Sequence, residues 1–331
     1  MAKKQNKKDE FVRNKENKFV RDPICNAIKN GKLKGLKNYI PIEEFGIKID
    51  YSLKNHSLKK IDYSLNIDII AIDQNFGLKS HKEGYEQVIA IECKYNADDI
   101  NKAIQISLAQ AIMYQISFKK VYIAVNKNDS DPSDYLKYIM EELGIGLITV
   151  KHSKEIKIEI YPSKSKFFNK SDYEKNTFDR AFLTATFMRV CKANGYLKKD
   201  LYPKWGGSHK GNPPHLWVGM PIIKDHKDES EPLLGIGCAY ELKSNEKANE
   251  AALRLSIKKG IKLDDLIKNE IKDNFKKKRK IRDPIEWDYD FTDLMKSRNY
   301  EEIEREMKKR IKWVNNKLKD KIKKILNRTL Y

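Results

Sequence analysis

The chain has 331 residues, 40% of them hydrophobic, and a formal net charge of +20. That length supports two domains with cores of their own, and no apolar run approaches the ~20 residues of a membrane span. Four cysteines without a CxxC pair exclude a zinc ribbon and a disulfide framework, and so large a positive charge points to a polyanionic partner, nucleic acid first.

Residues 1–10 read as a short basic, disordered tail; with no apolar stretch in it they are no secretory signal, and a reducing cytoplasm is the expected location. From Glu10, the positions Phe11, Phe19, Val20, Ile24 and Ile28 suggest a helix whose middle Pro23 complicates or breaks. Residues 32–45 read as irregular and turn-rich. A strand is expected over Gly46–Leu53, then one long or two joined strands over Ile61–Asp73. Val88–Lys94 is a short apolar strand. Asp98 or Asp99 can cap a following helix through Ile104, Leu108, Ala111 and Ile116. Lys120–Val125 reads as a central strand, Ser133–Leu143 as a helix, Gly144–Val150 as a strand and Ile156–Ile160 as an exposed one. This order predicts an α/β fold with a central mixed β-sheet flanked by helices over residues 11–160.

Residues 151–172, with the exposed strand in them, read as a junction, and a second, basic α+β domain is expected over residues 173–331. It starts with a buried helix ending at Asn194-Gly195, continues with strands near 216–223 and 233–242, and places helices over most of 246–280 and 300–330. Residues 258–331 carry 24 Lys/Arg against 14 Asp/Glu, whereas residues 1–150 carry 24 against 20. Basic weight far from the apolar strands suits a chain whose first half reacts and whose second half holds a polyanion.

The candidate chemistry lies on Val88–Lys94. Side chains alternate along a strand, so Glu92 and Lys94 share a face. A carboxylate and an ammonium are costly at the end of an apolar strand, and become useful with a divalent metal and a scissile phosphate between them. If the strand of Asp68 pairs beside this one, the two carboxylates can share one ion, with Lys94 close enough to position a hydroxide. Mg2+ is the expected cofactor, since hard cations prefer carboxylate oxygens. Gln110 and Tyr114 are four apart on the next helix and share one of its faces.

Asp68, a 23-residue gap and Glu92-Cys93-Lys94, followed by a helix with Gln110 and Tyr114 in QxxxY spacing, resembles the PD-(D/E)xK nuclease superfamily in its RecB-like and Cas4-like form. The resemblance covers roughly residues 10–150; Ile67 stands where the motif's proline would be. It implies a restriction-endonuclease-like core in which Asp68, Glu92 and the carbonyl of Cys93 bind Mg2+, with Mn2+ able to substitute. It further implies that Lys94 is the catalytic lysine, Gln110 and Tyr114 orient it or contact the backbone of DNA, and Glu16 is the acid of the first helix, a place that Glu10 or Asp22 could also fill. The expected activity is that of a DNA endonuclease, of restriction or defence type, with a repair or junction-resolving nuclease or a non-catalytic DNA-binding protein as alternatives. Double-stranded DNA is the expected partner, and a homodimer is plausible because one such site cuts one strand.

A second ExK, Glu241-Leu242-Lys243, also ends an apolar stretch, yet it lacks an upstream acid on an apolar strand and a QxxxY after it. It reads as a solvated pair. In the second domain, Lys276, Lys277, Lys278, Arg279 and Lys280 form a run at a helix end that suits phosphate contacts. Lys204, Trp205 and Lys210, in a Gly/Pro loop, suit a groove-reading or stacking surface, with Tyr202, His209 and Trp217 nearby.

Overall fold

The computed structural model describes residues 13–51, 61–77, 84–96, 98–127, 130–152, 155–197, 200, 202–205, 215–225, 232–241, 250–258, 260–279 and 285–329. No helix among them is long and apolar enough to cross a membrane. The chain divides into two compact units, Met1–Ala185 and Thr186–Tyr331. The expected basic tail lies outside the described residues.

The first unit opens with a continuous helical run over residues 13–29. A π-helical turn, Asn17–Arg21, leads into α1, Asp22–Lys29. Proline lacks an N–H and crowds the preceding turn; here Pro23 sits at the start of α1 directly after the wider turn, so the run continues to Lys29. Val20, Ile24, Cys25 and Ile28 form its buried stripe.

Six strands make one sheet in simple sequence order: β1 Tyr39–Tyr51, β2 Ile61–Asp73, β3 Val88–Lys94, β4 Lys120–Lys127, β5 Ile145–Lys151 and β6 Glu155–Ile160. The β1–β2, β2–β3 and β5–β6 pairs are antiparallel, and β3–β4–β5 run parallel. The sheet is mixed, as expected. Two helices provide the parallel crossovers: α2, Ile100–Tyr114, whose N-terminal amides Asp99 caps, and α3, Asp134–Leu143, capped by Ser133. Gly144 closes α3 in the left-handed conformation (φ 69°).

The long start of β1 differs from the expectation. Residues 39–45 pair with β2 rather than forming irregular structure. Pro41 obscured them; proline is compatible with an edge strand, and β1 is one.

Both faces of β3 and β4 are covered. On one, Ile69, Ala71, Ile89, Ile91, Cys93, Tyr122 and Ala124 pack with the stripe of the first helix. On the other, Ala90, Glu92, Val121, Ile123 and Val125 are buried, and α2 packs there with Ala103, Ile104, Ala111 and Tyr114. Burying each Val or Ile contributes about 1.5–3 kcal/mol, which sets the register of the site strand firmly.

The unit continues past residue 160. Ser165 donates to the Gln115 carbonyl, the Asn169 amide to that of Ile116 and the Tyr173 hydroxyl to that of Gly84. These bonds hold the expected junction against the first unit, and the division falls after Ala185, within a buried helix. That helix follows α4, Lys170–Tyr173, and a π-helical turn, Glu174–Phe178; it is α5, Asp179–Ala193.

The second unit has its own six-stranded sheet, ordered β11-β12-β10-β9-β8-β7. Its strands are β7 Tyr202–Trp205, β8 His215–Ile223, β9 Leu234–Glu241, β10 Glu250–Ile257, β11 Lys277–Arg279 and β12 Ile285–Asp290. Its helices are α6 Asp265–Asn274, α7 Thr292–Lys296, α8 Tyr300–Trp313 and α9 Lys319–Thr329, with a π-helical turn, Val314–Leu318, between the last two. The helical expectation for 246–280 is corrected: β10 lies between β9 and β12 in antiparallel pairing. Ala and Leu favour helices in isolation, but cross-strand pairing overrides that preference. Buried Arg254 reinforces it, holding Asp288 of β12 through two hydrogen bonds of 2.8 and 3.1 Å.

Candidate active site

β2 and β3 bring the acids together. Their ladder pairs Ile69 with Ile91, so the next position sets Asp68 across from Glu92. The Cys93 amide donates to Asp68 Oδ2 at 2.7 Å, which fixes that carboxyl, in the middle of β2, beside the C-terminal end of β3. Glu92 is only 2% exposed. Lys94 Nζ, at the strand's end, lies 3.2 Å from Glu16 Oε2 and 3.9 Å from Glu92 Oε1. The helical run over residues 13–29 thus carries Glu16 to the same centre as β2 and β3.

From the other face of the sheet, α2 contributes Tyr114. Its hydroxyl is 2.8 Å from Glu92 Oε2 and 2.9 Å from the Asn66 carbonyl oxygen. A tyrosine hydroxyl carries one proton to donate, and Glu92 Oε2 and the Asn66 carbonyl are the two acceptors that face it.

Burial, then the charge of Asp68, pushes the Glu92 carboxyl well above the usual range, against the opposing pull of Lys94 and of the hydrogen bond from Tyr114. Burial raises Asp68 from 3.8 to about 6, with the charge of Glu16 adding to it and the Cys93 amide opposing. Burial alone would lower the Lys94 pKa, but Glu16, Glu92 and Asp68 together raise it. Three carboxyl groups around one lysine leave the centre short of positive charge. That shortage is what a divalent cation would supply.

Of the residues expected from the sequence, Asp68, Glu92, Cys93, Lys94, Tyr114 and Glu16 are brought together. Gln110 is half-buried on α2 and makes no hydrogen bond to them among the described residues. Lys276 is exposed in the second unit, and Lys277, Lys278 and Arg279 lie on β11 instead of a helix end. Lys204 and Trp205 are on β7, with only their backbone described. Lys210, Lys280 and Lys243 of the second ExK lie outside the described residues.

Sequence reasoning missed Arg21. Its guanidinium reaches Glu44 at 3.0 Å and Glu43 at 3.5 Å, and its charge also acts on Asp68. Glu44 holds a positive φ of 53°. The β1–β2 ladder skips from Glu43–Ile69 to Phe45–Ile67, so the interruption falls beside Asp68. A left-handed non-glycine residue costs roughly 1–2 kcal/mol, and Glu44 is held there by Arg21 and by Arg13 at 3.1 Å. The signal was present: an arginine five residues after Glu16, and adjacent acids Glu43 and Glu44 on the neighbouring strand.

Among the described residues no three His, Cys, Asp or Glu side chains are already arranged to hold a metal; in this arrangement Lys94 stands between Glu16 and Glu92. Mg2+ commonly needs only one or two carboxylates with substrate phosphate and water, a requirement that Asp68 and Glu92 fit. In comparisons with known proteins, no family model, curated protein or solved structure matches this chain.

Proposed function

We propose that the chain is a metal-dependent nuclease that hydrolyses phosphodiester bonds of DNA at the centre formed by Asp68, Glu92 and Lys94. The observation that carries this reading is the convergence, on the neighbouring strands β2 and β3, of the buried Glu92 carboxyl, the half-buried Asp68 carboxyl and one lysine, both acids having raised pKa values. Such a cluster is expensive to fold, and its cost falls when a cation and a phosphate complete it. The mixed sheet with an antiparallel β1–β2–β3 and a parallel β3–β4–β5 fits the restriction-endonuclease-like core that the PD-(D/E)xK resemblance implies. A defence endonuclease is the role proposed within that class.

Mg2+ would be held by Asp68 and Glu92, and would supply charge neutralisation of the phosphate and a lowered pKa for an attacking water. The remaining work belongs to the chain. Tyr114 fixes one oxygen of Glu92, and the Cys93 amide fixes one of Asp68, so each carboxyl presents its other oxygen in a set direction. Lys94, its ammonium kept charged by three acids, orients the attacking water or offsets charge growing on the phosphate. Glu16 holds that ammonium in place at 3.2 Å.

The test is strand scission of plasmid and labelled DNA by wild type and Lys94→Ala. Cutting with Mg2+, none in EDTA, and a drop of about 10²–10⁴ in rate for the variant is expected. Salt-sensitive binding without cutting on any substrate would leave a DNA-binding protein instead.

A further inference from the structure

Phe19 has the spacing of a core residue, yet it is half-buried and is not among the residues clustered under the sheet. Its ring stacks on that of Tyr95, with centroids 5.4 Å apart and planes 27° from parallel. Tyr95 is partly buried and packs against the core. Two lysines flank the pair: Lys15 Nζ is 5.9 Å from the Tyr95 ring and exposed Lys18 Nζ is 5.4 Å from the Phe19 ring. These are close to the outer limit of about 6 Å for a cation–π contact.

The pair's place in the chain gives it a use. Tyr95 directly follows Lys94, and Phe19 lies three positions after Glu16 on the helical run. The rings belong to the face of β3 opposite Glu92 and Lys94, at the same C-terminal strand end. A polynucleotide crossing that end with a phosphate at Lys94 would bring a neighbouring base to Phe19.

We propose that Phe19 and Tyr95 form a stacking platform for an unpaired base beside the scissile phosphate, with Lys15 and Lys18 binding the flanking backbone, so that the substrate is single-stranded DNA or a frayed or flapped end. This rests on the nuclease reading of the same centre. Base–aromatic stacking tolerates any base, because every base has a π-face. An intact duplex hides those faces, and exposing one costs a few kcal/mol.

The experiment uses the full chain in EDTA with single-stranded DNA carrying 2-aminopurine, beside a duplex of the same length. Wild type is expected to bind the single strand more tightly and to quench the probe. Phe19→Leu keeps an apolar side chain but removes the ring; it should abolish the quench and weaken single-strand binding by about tenfold or more, while the chain still unfolds in a cooperative transition with a slightly lowered melting temperature. Phe19→Trp should retain the quench, and Lys18→Gln should lower the salt slope of binding by about one. Equal binding and quenching by wild type and Phe19→Leu, or a wild-type preference for duplex, would overturn the platform. Cutting is read separately with Mg2+: cutting of duplex with no platform overturns this inference alone, whereas an intact platform with no cutting on any substrate overturns the nuclease reading alone.

Discussion

Replacing Asp68 with asparagine should make the metal-free chain more stable, and only above a definite pH. Asparagine keeps an oxygen to accept from the Cys93 amide but cannot ionise. In wild type the folded state holds Asp68 at about 6 against an ordinary 3.8. An acid with a raised folded pKa favours the folded state while protonated, so its stability is fully present below about pH 4 and is lost as the pH rises through about 6. A shift of about two units corresponds to about 3 kcal/mol. For a unit of this size that is roughly 6–12 °C in melting temperature. Thermal and urea unfolding in EDTA at pH 4.5 and 7.5 reads it directly: Asp68→Asn should gain most of that amount at pH 7.5 and little at pH 4.5. An equal gain at both values, or a loss at pH 7.5, would refute the reasoning, because it would mean that the ionised carboxylate is not the strained species.

The same linkage predicts that Mg2+ raises the melting temperature of wild type more at pH 7.5 than at pH 5.5, since a cation binds the ionised carboxylates and protons compete for them; Asp68→Asn should respond weakly at both, as a titration followed by calorimetry would show. Tyr114→Phe removes the hydroxyl shared by Glu92 and the Asn66 carbonyl and should cost about 1–3 kcal/mol in urea unfolding, while leaving a smaller loss of cutting than Lys94→Ala. In the second unit, Arg254→Ala leaves Asp288 and Glu286 buried without the arginine that faces them at 2.8 and 3.6 Å, and should destabilise that unit by about 3–5 kcal/mol, a change that urea unfolding would expose as an earlier transition.

The first unit was legible because its signals are local. Alternation over residues 61–73, the apolar run of residues 120–125 and the caps Asp99 and Ser133 each specify an element without help from distant residues. Glu92 and Lys94 were found because the strand period sets which residues share a face, and Tyr114 through its QxxxY spacing. Asp68 needed the β2–β3 register, which the sequence only suggested. Long-range relations hid the rest. Pro41 reads as a break until β1 is known to be an edge, and residues 250–257 read as helix until β9 and β12 flank them. Arg21 and the left-handed Glu44 depend on β1 approaching the helical run, and Phe19 keeps the spacing of a core residue although it stacks outside the core.

The most direct test of the account compares wild type with Glu92→Ala and Lys243→Ala on labelled DNA, with single-stranded, flapped and duplex substrates, in Mg2+ and in EDTA. Wild type and Lys243→Ala should cut in Mg2+ and not in EDTA, and Glu92→Ala should not cut in either. Scission that survives in Glu92→Ala, or that disappears only in Lys243→Ala, would contradict that expectation and move the chemistry away from the β2–β3 centre.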